Sequence, residues 1–196
     1  MTLARPGGLA ASAASENAAR DEFDAVVRAH QRRIYRVLLG IVRDPDVADT
    51  LTQECFLRAY RNWKGFRGEA SVGTWLGRIA IHLAFDHARN RRAEFWRRLF
   101  GGRQEEDAPA VLEVRDSRAS PERQLAAREE LDAVWAAAGT LPVRQRAAFH
   151  LRFGEEMTLE EIAEHMGLEV GTVKAHLSRA VAAVRERWKE KQRRER

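Results

Sequence analysis

The chain of 196 residues has one cysteine, Cys55. A lone thiol makes no internal disulfide and no four-ligand structural zinc site. The expected setting is therefore a reducing cytoplasm, with Cys55 as a small residue inside an apolar helical pattern. No apolar run approaches the ~20 residues that span a bilayer. The opening MTLARPGGLAASAAS is interrupted at Pro6, Gly7 and Gly8 and reads as a flexible tail, not a signal peptide. Prolines number only five, and the alternation of a half-buried strand is missing. Missing too are a glycine-rich phosphate loop, a nucleophile elbow and a paired-carboxylate motif. We expect no catalysis and no cofactor. His82, Asp86 and His87 would give a metal at most two ligands from one helix face with no third partner, so no metal is expected either. A metal-dependent hydrolase built on those three residues is the rival from the enzyme class, and metal analysis of the purified protein would separate it.

What is present is charge and helical period. Apolar residues make up 44% and charged residues 32%, enough for a core and against wholesale disorder. Lys and Arg number 34 against 29 Asp and Glu, a net charge of +5. A modest positive excess suits a nucleic-acid partner, and the placement of the charges matters more than their sum.

The expected fold is all-α, two small helical bundles joined by a flexible linker. After a tail over 1–20, a first helix runs from about Asp21 to Val42, with Phe23, Val26, Val27, Ile34, Val37, Leu38 and Ile41 on its apolar side. Asp44-Pro45 supplies an N-cap and a proline at the first helical position. The helix it starts carries Val47, Leu51, Phe56, Leu57 and Tyr60 and ends near Trp63. Ser71 caps a third helix that reaches Arg92 or beyond. The first bundle is placed at 21–98 and the linker, rich in glycine and acid, at 99–119. Ser120-Pro121 opens a second bundle over 120–190, with helices to Ala138, over 142–153, 158–166 and 170–190, and a basic tail over 191–196.

The strongest local signal is MTLEEIAEHMGLEVGTVKAHLSRAVAAVRERW. Thr158 and Glu161 have capping-box spacing, and Gly167 falls where a helix-turn-helix needs positive φ. The next helix buries Val173, Leu177, Val181, Val184 and Trp188, one narrow stripe at 100° per residue. Thr172, Ala175, Ser178 and Arg179 then point outward, with Lys174 and His176 on the flanks. Small, polar and basic residues suit a helix entering a major groove, where an arginine can make a bidentate pair with guanine. In the first bundle, TWLGRIAIHLAFDHARNRR places Leu76, Ile79, Ala80 and Leu83 on the core side. Arg78, His82, Phe85 and Arg89 form a second stripe, with Trp75 at its edge. Interleaved cations and aromatics suit single-stranded or melting DNA. Packing of Trp75 and Phe85 against neighbouring helices is the plain alternative, and Asp86 is expected to pair with an arginine.

Two segments carry a family resemblance. DPDVADTLTQECFLRAYRNWKGFRGEASVGTWLGRIAIHLAFDHARNRR resembles domain two of the sigma-70 family, and LPVRQRAAFHLRFGEEMTLEEIAEHMGLEVGTVKAHLSRA resembles domain four. Their order, with no substantial domain between them, resembles the compact extracytoplasmic-function type. The resemblance implies a sigma factor that binds core RNA polymerase, recognises −35 and −10 promoter elements and promotes melting. It implies that Asp49, Gln53, Glu54 and Phe56 dock on the polymerase clamp. Phe66, Arg67, Ser71, Thr74, Trp75, Arg78, His82 and Arg89 would serve the −10 element, and Thr172, Lys174, Ala175, Ser178 and Arg179 the −35 element. It also implies an anti-sigma partner, in the family frequently membrane-anchored, and no small-molecule substrate. The sequence departs from the family pattern at Thr50, where an Asp is usual, at His82, often Asn, at Ala175, often Ser, and at Glu169, in place of a Ser-type cap. A stand-alone helix-turn-helix regulator remains the alternative, though it leaves the first bundle without a purpose; a sigma-like adaptor that binds polymerase without melting DNA is a further one.

Geometry allows the implied arrangement. Two helical turns of duplex are ~70 Å, and about 25 extended linker residues at ~3.3–3.6 Å each reach ~85 Å. The acids Glu105, Glu106 and Asp107 would suit a basic channel of the polymerase, or simply keep the linker soluble.

Overall fold

The computed structural model describes the backbone of residues 7–101 and 121–194, and the side chains of 20–94 and 130–193. It is all-helical among the described residues. Three helices form the first bundle: α1 (Gly7–Val42), α2 (Pro45–Asn62) and α3 (Val72–Gly101), with a 3₁₀ turn at Trp63–Gly65. Four form the second: α4 (Pro121–Gly139), α5 (Val143–Phe153), α6 (Leu159–Met166) and α7 (Val170–Arg194).

The helix starts follow from local chemistry. The Asp44 carboxylate accepts from Asp46 N at 3.1 Å and Val47 N at 3.0 Å, and Pro45 occupies the first turn of α2, where no N–H is needed. Ser71 Oγ accepts from Thr74 N at 3.1 Å ahead of α3. Three helices outrun their expected limits. The chain is helical from Gly7, where a tail over 1–20 was expected, because an alanine-rich run of high helix propensity leads without a break into a packed helix. α3 continues to Gly101, into the expected linker, and α7 runs to Arg194, through most of the expected basic tail. Glu105, Glu106 and Asp107 lie outside the described residues.

The first bundle buries Ile34, Leu38 and Ile41 of α1 against Ala48, Cys55 and Phe56 of α2 and Leu76, Ala80, Ile81 and Ala84 of α3. Each large apolar side chain so buried contributes about 1.5–3 kcal/mol. Leu57 and Tyr60, grouped with the apolar side of α2 in the sequence reading, are 45% and 44% exposed. Cys55 is fully buried; its thiol donates to Leu76 O at 3.5 Å, and burial pushes it up to about 12, which leaves it unreactive. A smaller core in the second bundle joins Ala137, Ala138 and Leu141 to Phe149, Ala180 and Val184.

The larger core does not stop at the boundary between bundles. It continues from α1 and α3 through Ala147, Ala148 and Leu151 of α5 to Ile162, Met166 and Val173. The sequence suggested two separated bundles on a tether; in the structure they are packed together. Glycines of the first bundle make the close approach possible. Gly40 of α1 lies against the His150 ring of α5, and Gly77 of α3 against the His165 ring of α6.

Candidate nucleic-acid interface

α6 and α7 form a helix-turn-helix. Thr158 Oγ1 accepts from Glu161 N at 3.2 Å, and Thr158 N donates to Glu161 Oε2 at 2.8 Å, the reciprocal pair of a capping box. The Thr158 backbone N–H and, at 3.0 Å, its hydroxyl both donate to Glu161 Oε2 and hold this carboxyl below the usual range. Gly167 ends α6 at φ 63°, ψ 42°, a left-handed conformation that glycine adopts without strain. Val173, Leu177, Ala180 and Val184 are buried, which rolls the other side of α7 outward. Thr172, Lys174, Ala175, Ser178 and Arg179 are all exposed on it. His176, at the edge of this face, is pushed down by burial and by the charges of Arg144 and Arg179. Glu169 supplies the backbone carbonyl that accepts from Thr172 N at 2.9 Å at the start of α7.

The α3 stripe is divided. Trp75 is half-buried in an aromatic cluster, 4.9 Å from Phe66 and 6.1 Å from Trp63 between ring centroids, while Phe66 stacks on Trp63 at 5.6 Å. Arg67 and Ser71 are exposed in the open loop between α2 and α3, where Gly68 takes φ 72°, and Ser71 Oγ lies 2.9 Å from Thr74 Oγ1. Further along, the stripe meets the second bundle. Arg78 Nη2 pairs with Glu164 Oε1 at 3.1 Å, and Arg78 Nε donates to Glu164 O at 2.9 Å. The His82 ring reaches Gly167, and its Nδ1 donates to Arg78 O at 2.7 Å. Arg144 of α5 sits 5.3 Å from the Phe85 ring centroid. Arg89 pairs with Asp86 at 2.9 Å and is otherwise open to solvent.

On α2, Asp49 and Gln53 are exposed and joined by Gln53 Nε2 donating to Asp49 Oδ2 at 2.8 Å. Arg58 Nε donates to Glu54 Oε1 at 2.6 Å. Phe56 is only 8% exposed and belongs to the core, so its ring supports α2 from behind rather than offering a surface. Leu57 and Tyr60, one and two turns beyond Gln53, take the outward position instead, giving a stripe of Asp49, Gln53, Leu57 and Tyr60. Helical spacing from Asp49 was the signal available in the sequence; their hydrophobicity hid it.

The contact between bundles is specific. Glu155, with a side chain only 5% exposed, pairs with Arg33 at 3.2 Å and Arg36 at 3.4 Å of α1. His150 is pushed down by burial and, more weakly, by the Arg36 charge, against an upward pull from Glu155 and a hydrogen bond at Arg36. A crevice of about 690 Å³ between α3 and the helix-turn-helix is lined by Arg78, His82, Glu164, Gly167 and Thr172. Residues expected at opposite promoter elements thus share one crevice. Among the described residues no group of three or more His, Cys, Asp or Glu could hold a metal ion. No helix among them is long and apolar enough to cross a membrane.

Comparison with known proteins accounts for both bundles. Residues 26–94 match the family described as Sigma-70 region 2, and residues 131–184 match Sigma-70, region 4. The chain is 35% identical over 175 residues to the RNA polymerase sigma-H factor of Pseudomonas aeruginosa, covering 83% of each chain. It is 32% identical over 160 residues to the ECF RNA polymerase sigma-E factor of Haemophilus influenzae, covering 81% of this chain and 82% of that one. Its fold resembles the sigma factor RpoE solved in complex with the anti-sigma factor NepR from Bartonella quintana, with a TM-score of 0.66 and 20% identity over 86% of this chain and 97% of that one. It also resembles CnrH in complex with the cytosolic domain of CnrY, with a TM-score of 0.57 and 24% identity over 91% and 93%. The two bundles are sigma regions two and four, and the chain belongs to the sigma-70 family of RNA polymerase sigma factors, in its extracytoplasmic-function branch.

Proposed function

We propose that α2 docks on core polymerase through Asp49, Gln53 and Glu54 together with Leu57 and Tyr60, with Phe56 holding the helix from the core side. The α7 face, Thr172, Lys174, Ala175, Ser178 and Arg179, reads the −35 element from the major groove. The loop and stripe of the first bundle, Phe66, Arg67, Ser71, Thr74, Trp75, Arg78, His82 and Arg89, capture the opened −10 strand. Stacking on aromatic faces and phosphate contacts to arginine offset the cost of unpairing. The chain performs no bond chemistry; the polymerase makes RNA. It works in the cytoplasm, where core polymerase is found.

The observation that carries this reading is the α7 face: small and basic residues exposed together on a helix whose opposite side is locked into the core. The packed arrangement adds a requirement. Elements ~70 Å apart cannot be reached from one crevice, so the bundles separate when the factor is on polymerase, with the linker spanning the gap. Both similar structures are complexes, with the anti-sigma factor NepR in one and the cytosolic domain of CnrY in the other, and an anti-sigma partner of this chain would find its target in the packed form. The test is run-off transcription by core enzyme with this chain on a randomised promoter library. Enrichment of a paired −35 and −10 motif supports the reading, and substitutions on α7 should alter the −35 half alone.

A further inference from the structure

Cationic side chains from both bundles meet at one small cavity that shares no lining residue with the crevice at Arg78 and Glu164. Its volume is about 200 Å³, and its polar walls are His87 and Arg91 of α3 and Arg146 of α5, set in apolar surface from Val42, Ala84 and Val143. Arg43, at the end of α1, stands close enough for its charge to act on Arg146. Arg43 Nη1 donates to Trp135 O, and Arg146 Nη1 donates to Gly139 O at 2.6 Å, so both guanidiniums serve the C-terminal end of α4, where the helix dipole favours positive charge. These bonds leave other donors idle. Arg146 Nε–H is a buried donor with no hydrogen-bond partner, and His87 Nε2, a donor or an acceptor according to the tautomer, is also buried and unpartnered. Such groups are costly to leave unmade.

The electrostatics point the same way. Arg146 is pushed down by burial and by the charges of Arg43 and Arg91; His87 is pushed down by burial and by Arg91. Asp44 opposes this at His87, but its Oδ1 is already accepting from Asp46 N and Val47 N at the start of α2. No ion pair among the described residues joins Arg43 or Arg146 to a carboxylate. Like charges converging on a cavity with unused N–H donors are suited to a tetrahedral oxyanion, which accepts several charge-assisted hydrogen bonds at once.

We infer that this cavity binds a small phosphate-type oxyanion, inorganic phosphate or pyrophosphate, held between His87 and Arg91 on α3 and Arg146 on α5. Such a ligand touches both bundles, so its binding favours the packed arrangement over any in which α3 and α5 part. The site is independent of the promoter-reading residues, and the inference stands whether or not those assignments hold.

The experiment is isothermal titration of the full chain with sodium phosphate and, separately, sodium pyrophosphate, at ionic strength held constant with chloride. Arg91→Ala and His87→Ala are titrated alongside, each first shown by circular dichroism to keep its helix content. Arg91 is exposed, so its variant has no packing to lose. The expected result is saturable binding at one site per chain, weakened about tenfold in each variant, with a smaller radius of gyration at saturating pyrophosphate. Heat that never saturates, affinity unchanged by both variants, or a radius that grows would each overturn it. A short single strand of DNA provides a further arm. If it binds through Arg91 while neither free anion competes with it, the cavity is a contact for nucleic-acid phosphate and the inference fails.

Discussion

The His150 ring of α5 lies directly on Gly40 of α1, so that a methyl group built on this glycine would overlap the ring. Gly77 and His165 repeat the relationship between α3 and α6. Two imidazoles from region four thus occupy hollows that region two opens by omitting a side chain, and the packed arrangement depends on that omission. Gly40→Ala and Gly77→Ala should each weaken the packing by about 1–3 kcal/mol, the usual cost of an overpacked contact. Small-angle scattering should record a larger radius of gyration for both variants with helix content unchanged. A radius equal to wild type would mean that the rings move aside freely.

Acid should act on the same contact. Burial pushes His150 down, so the packed form resists protonation that an exposed imidazole accepts. The packing is then fully present above the ordinary histidine range, ~6.5, and is lost as pH falls through the lowered value. Glu155 and Arg36 face this ring, and the Trp135 ring lies 5.7 Å away; Glu155 moderates the shift. Scattering between pH 7.5 and 5 should show expansion at the acid end, reduced in His150→Gln. Expansion of equal size in the variant would assign the effect to other groups.

Freeing Arg78 should strengthen strand capture by the isolated protein. Its partner Glu164 is partly exposed, as is Arg78 itself, so the pair is worth no more than about 1 kcal/mol. Glu164→Gln should raise affinity for a single-stranded −10 oligonucleotide by up to about fivefold, read by fluorescence anisotropy, and leave affinity unchanged once the factor is on polymerase. A gain that persists on the holoenzyme would speak against release of this contact there.

The account separates docking from reading. Tyr60→Ala should weaken association with core polymerase by about 1–3 kcal/mol, in line with loss of a central aromatic anchor. Arg179→Ala should instead leave association intact and relax preference at one −35 base pair by about 1–3 kcal/mol. Pull-down with core enzyme and a promoter-library readout distinguish the two; a common defect in both variants would contradict the separate roles proposed for α2 and α7.

Much of this was legible in the sequence because local rules and global fold agree. Asp44-Pro45, Ser71 and the Thr158–Glu161 box set helix starts through bonds within a few residues, and Gly167 turns where only positive φ serves. The spacing of Val173, Leu177 and Val184 settled which side of α7 is free. What escaped depends on contacts remote in the chain. Glu155 pairs with Arg33 across 122 positions, and Glu164 with Arg78 across 86; no periodicity encodes either. Leu57 and Tyr60 were misplaced because an apolar residue left exposed on a helix reads in sequence the same as one bound for the core. The roles of Gly40 and Gly77 rest on His150 and His165 standing opposite them, contacts that no local pattern encodes.

The most direct test of the whole account is multi-round run-off transcription with purified core polymerase, the full chain and a promoter library randomised at both elements. The account predicts factor-dependent transcripts that share a −35 and a −10 motif at a fixed spacing, with the −35 motif degraded by Arg179→Ala and open-complex formation impaired by Trp75→Ala. Core enzyme that starts no new transcripts in the presence of this chain would contradict it.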